Sequence, residues 1–447
     1  MAARFPDVFA RAALPGNAAA FKREYGTALA RFEAARVRSP ARVEIARAIV
    51  EAAEEAIHYG EVPLREALLE PAPTPVLQRS VSTSTGAAIE IPFEGRTYRG
   101  RSALDVVEKL RAAHQLTDSA YHALRWIIAH EQLDLRGQRF ALLGAGAELA
   151  STELLLRAGA EVLWIDVGEP PAGWNVTRAP GVGNLLEQPR EIAAAIRAFA
   201  ADGPVHVGMF AYAPGASKEW RLGAAMNAIV RSLEPGIVRS VSLLISPTTP
   251  ALLGAETRHA AKLRKLHSPS WQRILARTGL TAEPGWLSVS DTHVSLSTVS
   301  LQGASYQAAQ YIAKIAAAET FSSDGLTVSA NVAGITRTRS LSHPLFSAAF
   351  LGAGQFGVRI FDPATTRALN GLLMLHDLLN ADAPVAQAEG ETAKAEALLS
   401  QQIHGGVYGL PWVLEGVIRV AAALGLASKP MLLLGKTAPE PVAQAAE

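Results

Sequence analysis

The residues best placed to do chemistry begin with a glycine turn. Gly144-Ala145-Gly146 follows the apolar run Arg139 to Leu143 and precedes a stretch with helical spacing. Glycines in that context let backbone N–H groups approach a diphosphate at a helix N-terminus, so Gly144, Gly146 and the adjoining Ala147 are expected to face one. A carboxylate about twenty residues further on completes the pattern by accepting from a ribose 2′-hydroxyl. Asp166 stands 22 residues after Gly144. The chemistry implied is dinucleotide binding, NAD or NADP, and Asp166 favours NAD. Two residues depart from the pattern: Leu149 takes the third glycine position, and Glu148 brings a negative charge into the turn.

Other chemistries find less support. The chain has no Cys, which removes disulfides, thiolate nucleophiles and Cys-ligated metals. None of the 11 His residues pairs with another at i, i+4, and His404 beside Gly405-Gly406 reads as a loop residue, so no metal is expected. Gly215-Ala216-Ser217 lacks the second glycine of a hydrolase nucleophile elbow. With 42 Lys+Arg against 41 Asp+Glu there is no field to draw nucleic acid. No apolar run approaches the roughly 18–20 residues of a membrane helix, and the first residues lack a secretory layout, so a cytoplasmic protein without a membrane span is expected.

The elements that must position these residues follow from periodicity. Strands are expected over Arg139 to Leu143, Glu161 to Asp166, Val205 to Ala211, Val238 to Ser246 and Thr327 to Val332. Helices are expected over Glu148 to Arg157, Arg190 to Ala200, Glu219 to Leu233 and Tyr306 to Thr320. Strands separated by helices predict an α/β fold with a doubly wound parallel sheet of the Rossmann type. Residues 137–362 make up this unit, with an insertion or lid at about 247–290. Residues 1–136 read as a mostly helical domain with a small β-hairpin around Pro92 to Gly95, and 363–447 as a helical tail with a frayed end.

Two further stretches carry a resemblance. Gly303-Ala304-Ser305-Tyr306-Gln307-Ala308-Ala309-Gln310 resembles the tyrosine helix of the short-chain dehydrogenases/reductases, and Val328 to Thr338 resembles the strand and cofactor loop that follow it. The likeness spans about 139–362. It implies nicotinamide-dependent hydride transfer to or from a carbonyl or activated alkene, with Tyr306 exchanging the substrate proton. The family's Lys, one turn after its Tyr, is replaced by Gln310, and Lys314 lies one turn further along. A longer Tyr-to-Lys spacing and the Ala333-Gly334 pair are similar to the enoyl-reductase branch. Tyr311 with Lys314 is the competing pair. The family's substrate-orienting Ser corresponds to Ser246, which lies 60 residues before Tyr306, with Ser295, Ser297 and Ser300 also open. By the same likeness, Ala211 to Gly215 replaces the family's Asn-Asn-Ala-Gly turn, Asn184 stands near the adenine, and Ile335 and Thr338 hold the carboxamide.

Asp134 to Arg139 ahead of the glycine turn is also similar to amino-acid and shikimate-type dehydrogenases, whose substrate domain comes first. A reading of a different class is a Rossmann protein that has lost catalysis and serves in binding or assembly, as Glu148, Gln310 and the missing Asn pair suggest. The expected partner is an apolar small molecule, with a possible homo-oligomer contact through Gly409 to Leu426, which includes Trp412.

Overall fold

The computed structural model describes residues 1–80, 84–213, 217–282, 284–339 and 343–430. Pro214 and Gly215 of the expected turn, and the last dozen residues, lie outside them. Helices α1 (Pro6–Ala12), α2 (Ala18–Arg36) and α3 (Arg42–Ala56) come first, then the hairpin β1 (Glu90–Phe93) and β2 (Arg96–Arg99), and helices α4 (Gly100–Ala112) and α5 (Asp118–Ile128). Thr117 caps α5 by accepting from the Ala120 N–H.

The alternating segment then runs β3 (Arg139–Leu143), α6 (Thr152–Arg157), β4 (Glu161–Ile165), β5 (Thr177–Arg178), α7 (Pro189–Phe199), β6 (Val205–Met209), α8 (Lys218–Arg231) and β7 (Val238–Ile245). After an insertion, α9 (Ala255–Leu266), α10 (Ser270–Arg277) and the hairpin β8 (Trp286–Val289) with β9 (Thr292–Ser295), the chain forms one long helix. That helix is α11 (Ala304–Gln310), a π segment (Tyr311–Ala316) and α12 (Ala317–Ser323) in succession. Strand β10 (Thr327–Val332) and helices α13 (Pro344–Ala353), α14 (Pro363–Leu379), α15 (Glu391–Leu398) and α16 (Leu414–Ser428) complete it.

Six strands pair in parallel in the order β10-β7-β6-β3-β4-β5. In chain order this is 3-2-1-4-5-6, the doubly wound dinucleotide-fold arrangement, and the direction of winding reverses between β3 and β6. The protein is therefore an α/β protein of the Rossmann type. Successive side chains serve opposite faces: Ala141, Leu143, Leu163 and Ile165 enter one core, and Phe140, Leu142, Val162 and Trp164 the other. Helices α2, α3, α7, α8 and the π segment cover the first face, and α4, α5 and α14 the second. Helix α14 is pinned to β10 where Ser329 Oγ donates to Asp377 Oδ2 at 2.7 Å and Gln401 Nε2 donates to Oδ1 at 2.7 Å.

Several expectations need correction. The helix expected from Glu148 begins only at Thr152, because the Thr152 hydroxyl donates to the Ala145 carbonyl at 2.6 Å and holds the chain in turns up to that point. No helix joins β4 to β5, and β5, two residues long, is too short to carry a pattern. The inserted hairpin continues to Ser295, beyond the expected end of the insertion at about 290. Trp412 is 2% exposed and packs with Leu410 and Leu414 in the first core. The stretch around Trp412 is therefore internal, set against Gly285, where a side chain would meet the Leu410 and Trp412 carbonyls at 2.6 and 2.8 Å, while Ile418, Val420 and Leu424 further along keep partial exposure. Among the described residues, no helix is long and apolar enough to cross a membrane.

The N-terminal helices are held by buried charge. Arg36, without exposed surface, donates to Glu33 at 2.9 Å and to Glu319 at 2.6 Å, and Arg42 donates to Glu319 at 2.9 Å. The Tyr311 hydroxyl closes the cluster by donating to Glu33 and accepting from Arg36. Removing one partner leaves an uncompensated buried charge, so Arg36→Met is expected to lower unfolding free energy by about 3–5 kcal/mol in urea denaturation. Burial opposes ionisation of Glu319, yet Arg36 and then Arg42 draw its carboxyl down to about 2. Its folded pKa lies below the ordinary 4.5, so this stabilisation is full above pH 4.5 and lost as pH falls toward 2. Urea midpoints measured from pH 6 to pH 3 should fall less in Glu319→Gln than in the parent.

Candidate active site

A cavity of about 440 Å³ opens at the C-terminal ends of β3, β6, β7 and β10, beside the point where the winding reverses. Open α/β sheets bind ligands at that place. Its walls come from the loops that the topology gathers there: Ala147 to Leu149 after β3, Tyr212 and Ala213 after β6, Ser246 to Thr248 after β7, and Ala333 to Thr336 with Thr338 after β10. The long helix closes one side with Tyr306, Gln310 and Lys314. Leu244, Ile245, Ile335 and Phe346 supply apolar surface.

Ser246 and Tyr306 meet despite their separation in sequence, because the insertion loops out between β7 and the long helix. Both line the same cavity, with Ser246 near enough to draw the Tyr306 phenol down against the rise that burial causes. Ser246 Oγ also pairs with Thr248 Oγ1 at 2.8 Å, and Thr248 Oγ1 accepts from Gln307 Nε2 at 3.4 Å. The other serines are used elsewhere: Ser295 and Ser297 bond to each other and to the loop at Thr249 and Ala251, and Ser300 bonds to Glu415.

Lys314 reaches the cavity through the π segment. In a regular α-helix eight residues make two turns plus about 80°, which would carry Lys314 off the Tyr306 face. A π turn holds more residues per revolution and takes that lead back. Tyr311 points the other way, into the Arg36 cluster, so the competing pair Tyr311 with Lys314 does not form in the cavity.

Glu219 completes the group, and sequence reasoning missed it as a charge in the first turn of α8. It is 5% exposed, accepts from Gln310 Nε2 at 2.9 Å and accepts from the Ala213 N–H at 3.0 Å. Its position depends on Gly223, one turn along α8, where any side chain would overlap Ala313 of the π segment. The available signal was a carboxylate just after a β-strand in a helix otherwise rich in Ala and apolar residues.

Electrostatics separates the roles. Burial pushes the Tyr306 phenol upward, Ser246 draws it back, and Glu219 and Tyr212 push it up further. Burial lowers the Lys314 ammonium, and Glu219 opposes that loss. The negative charge that favours the Lys314 ammonium is therefore Glu219, and the group that favours the Tyr306 anion is Ser246.

The expected diphosphate side is built differently. The Asp166 carboxylate accepts from the Gly146 N–H and the Gly168 N–H, both at 2.9 Å, so it closes the glycine turn. Gly144 has φ +86°, and a side chain there would overlap the Ala211 backbone. Glu148 accepts from the Arg339 N–H at 3.1 Å, which sets a carboxylate in the cavity wall. The start of α6 is covered by α14, where a side chain at Gly371 would lie 3.0 Å from Ser151 Oγ. Asn184 accepts from Leu186 at 3.1 Å within the turn before α7. Ala147, Ile335 and Thr338 line the cavity; Gly144, Gly146, Asp166 and Ala211 lie outside its lining, Gly144 buried and Gly146 exposed. The glycine turn offers a diphosphate no exposed helix N-terminus, since Ser151 and Thr152 at the start of α6 are buried. Among the described residues no cluster of His, Asp or Glu has the form of a metal site.

No protein-family model matches the chain, and no curated protein matches it. Among solved structures it is similar to a short-chain dehydrogenase/reductase, glucose/ribitol dehydrogenase, from Brucella melitensis. The two are 12% identical over 62% of this chain and 98% of that one, with a TM-score of 0.35.

Two variants check this geometry. Gly144→Ala is expected to destabilise by about 1–3 kcal/mol through backbone strain and overlap with Ala211, read as a lowered thermal midpoint. Glu219→Gln removes the charge that supports the Lys314 ammonium, so the Lys314 pKa should fall further below its ordinary value in an NMR titration.

Proposed function

We propose that the cavity is the active site of a nicotinamide-dependent oxidoreductase acting on a carbonyl or activated alkene of an apolar small molecule. The observation that carries this is the convergence of Tyr306, Ser246 and Lys314 on one cavity at the sheet's reversal point. A bound nicotinamide would supply or accept the hydride, with Ala147, Ile335, Thr338 and Lys314 as the residues to hold it. Tyr306, kept protonated by burial, donates a hydrogen bond and then its proton to the substrate oxygen. Ser246 steadies the phenolic oxygen as that proton leaves. Lys314, balanced by Glu219, stabilises the negative charge developing at Tyr306. Leu244, Ile245, Ile335 and Phe346 keep water from the reacting atoms. Asp166 lies close behind the turn and disfavours a 2′-phosphate, which supports NAD over NADP.

A second reading has its own observation. The Glu148 carboxylate and the covered start of α6 favour a Rossmann protein that binds a small oxygen-bearing ligand and no dinucleotide. Fluorescence titration with NADH and with NADPH separates the two. Saturable binding, tighter for NADH, is expected from the oxidoreductase; absence of both at millimolar nucleotide leaves the second reading. Given binding, Tyr306→Phe should keep nucleotide affinity and lose about 10²–10⁴ in turnover.

A further inference from the structure

The amide of Gln310 has one end committed and the other free. Glu219 only accepts when ionised, and it takes the Gln310 Nε2 donor at 2.9 Å while the Ala213 N–H holds its other oxygen. The amide is thereby locked in one orientation, with Oε1 turned away from Glu219. Gln310 is 2% exposed, lies on the cavity wall, and its Oε1 has no hydrogen-bond partner among the described residues. A buried acceptor without a donor costs about 1–3 kcal/mol. An occupant that brings a donor removes that cost.

Tyr306 stands one helical turn before Gln310, and residues at that spacing are neighbours on a helix face. The wall thus sets the Tyr306 hydroxyl beside the Gln310 side chain, whose Oε1, itself almost without accessible surface, meets a ligand after a small shift of the amide toward the cavity. We propose that the cavity selects molecules carrying a carbonyl oxygen and an adjacent hydroxyl, an α-hydroxy ketone or its diol, with Gln310 Oε1 accepting from that hydroxyl. This rests on the reading in which Tyr306 addresses a carbonyl oxygen. A simple ketone satisfies Tyr306 and leaves Gln310 unpaired, and sites built around a hydroxyl reject analogues that lack it. The ring or chain of the ligand lies against Leu244, Ile335 and Phe346.

The test compares 2-hydroxycyclohexanone with cyclohexanone on the full chain without nucleotide, with affinities from NMR titration up to the solubility limit. The hydroxy ketone is expected to bind about tenfold tighter or more, and Gln310→Met should make the two nearly equal. Equal affinity in the parent protein, a preference that survives in Gln310→Met, or no binding of either probe overturns the proposal. If a water already satisfies Oε1, equal affinity is the result. Should Gln310→Met fail to fold by circular dichroism, Glu219→Gln serves instead: it frees the amide to flip and should weaken the preference, and an unchanged preference counts against the proposal. Nucleotide binding is read separately, so loss of the oxidoreductase reading and loss of the hydroxyl preference are distinguishable.

Discussion

Arg36 is enclosed between two carboxylates, and much of the architecture answers to that arrangement. A guanidinium without water is tolerated only when its charge is matched and its donors are used. Glu33 and Glu319 match it, Arg42 balances the second carboxylate, and Tyr311 shares the Arg36 Nε–H with Glu33. These partners come from α2, α3, the π segment and α12, so the helices have one permitted relation to each other. Tyr311 is also the first residue of the π segment. Fixing its hydroxyl fixes where the wide turn begins, and the turn decides where Lys314 emerges. The cation in the cavity is thus placed by helices near the start of the chain that have no other part in the cavity.

The parallel strands were legible because strands covered on both faces are written as continuous apolar runs. Ser246 was legible for the same reason, as the polar residue that ends such a run. The π segment was not, since Tyr311 to Ala316 is composed of ordinary helix residues and its register is set by the distant Arg36 cluster. Glu219 read as a first-turn charge because its partners, Gln310 and Ala213, arrive only with the tertiary fold. Trp412 shows the same limit in another form: apolarity records that a residue is covered, and Trp412 is covered by its own chain.

The glycine turn illustrates how a binding signature can follow from folding alone. Gly144 is required where the Ala211 backbone crosses it, and Gly146 where Trp164 and Asp166 leave little room around its Cα. Asp166 then spends its oxygens on the turn itself. Gly144 would be needed here even with no diphosphate nearby, and the acidic residue has a use within the turn itself. The weight of the functional reading accordingly falls on the opposite end of the cavity, where hydroxyl, ammonium and carboxylate meet.

The Arg36 cluster also imposes an order on synthesis. Its two halves are 283 residues apart, and at about 5–20 residues per second the second half follows the first by roughly 15–55 s. Until Glu319 emerges, Arg36 has only its helix neighbour Glu33 and gains by remaining in water. The cluster that seats α2 and α3 therefore has all its members only once five of the six strands have been made, ahead of β10 alone.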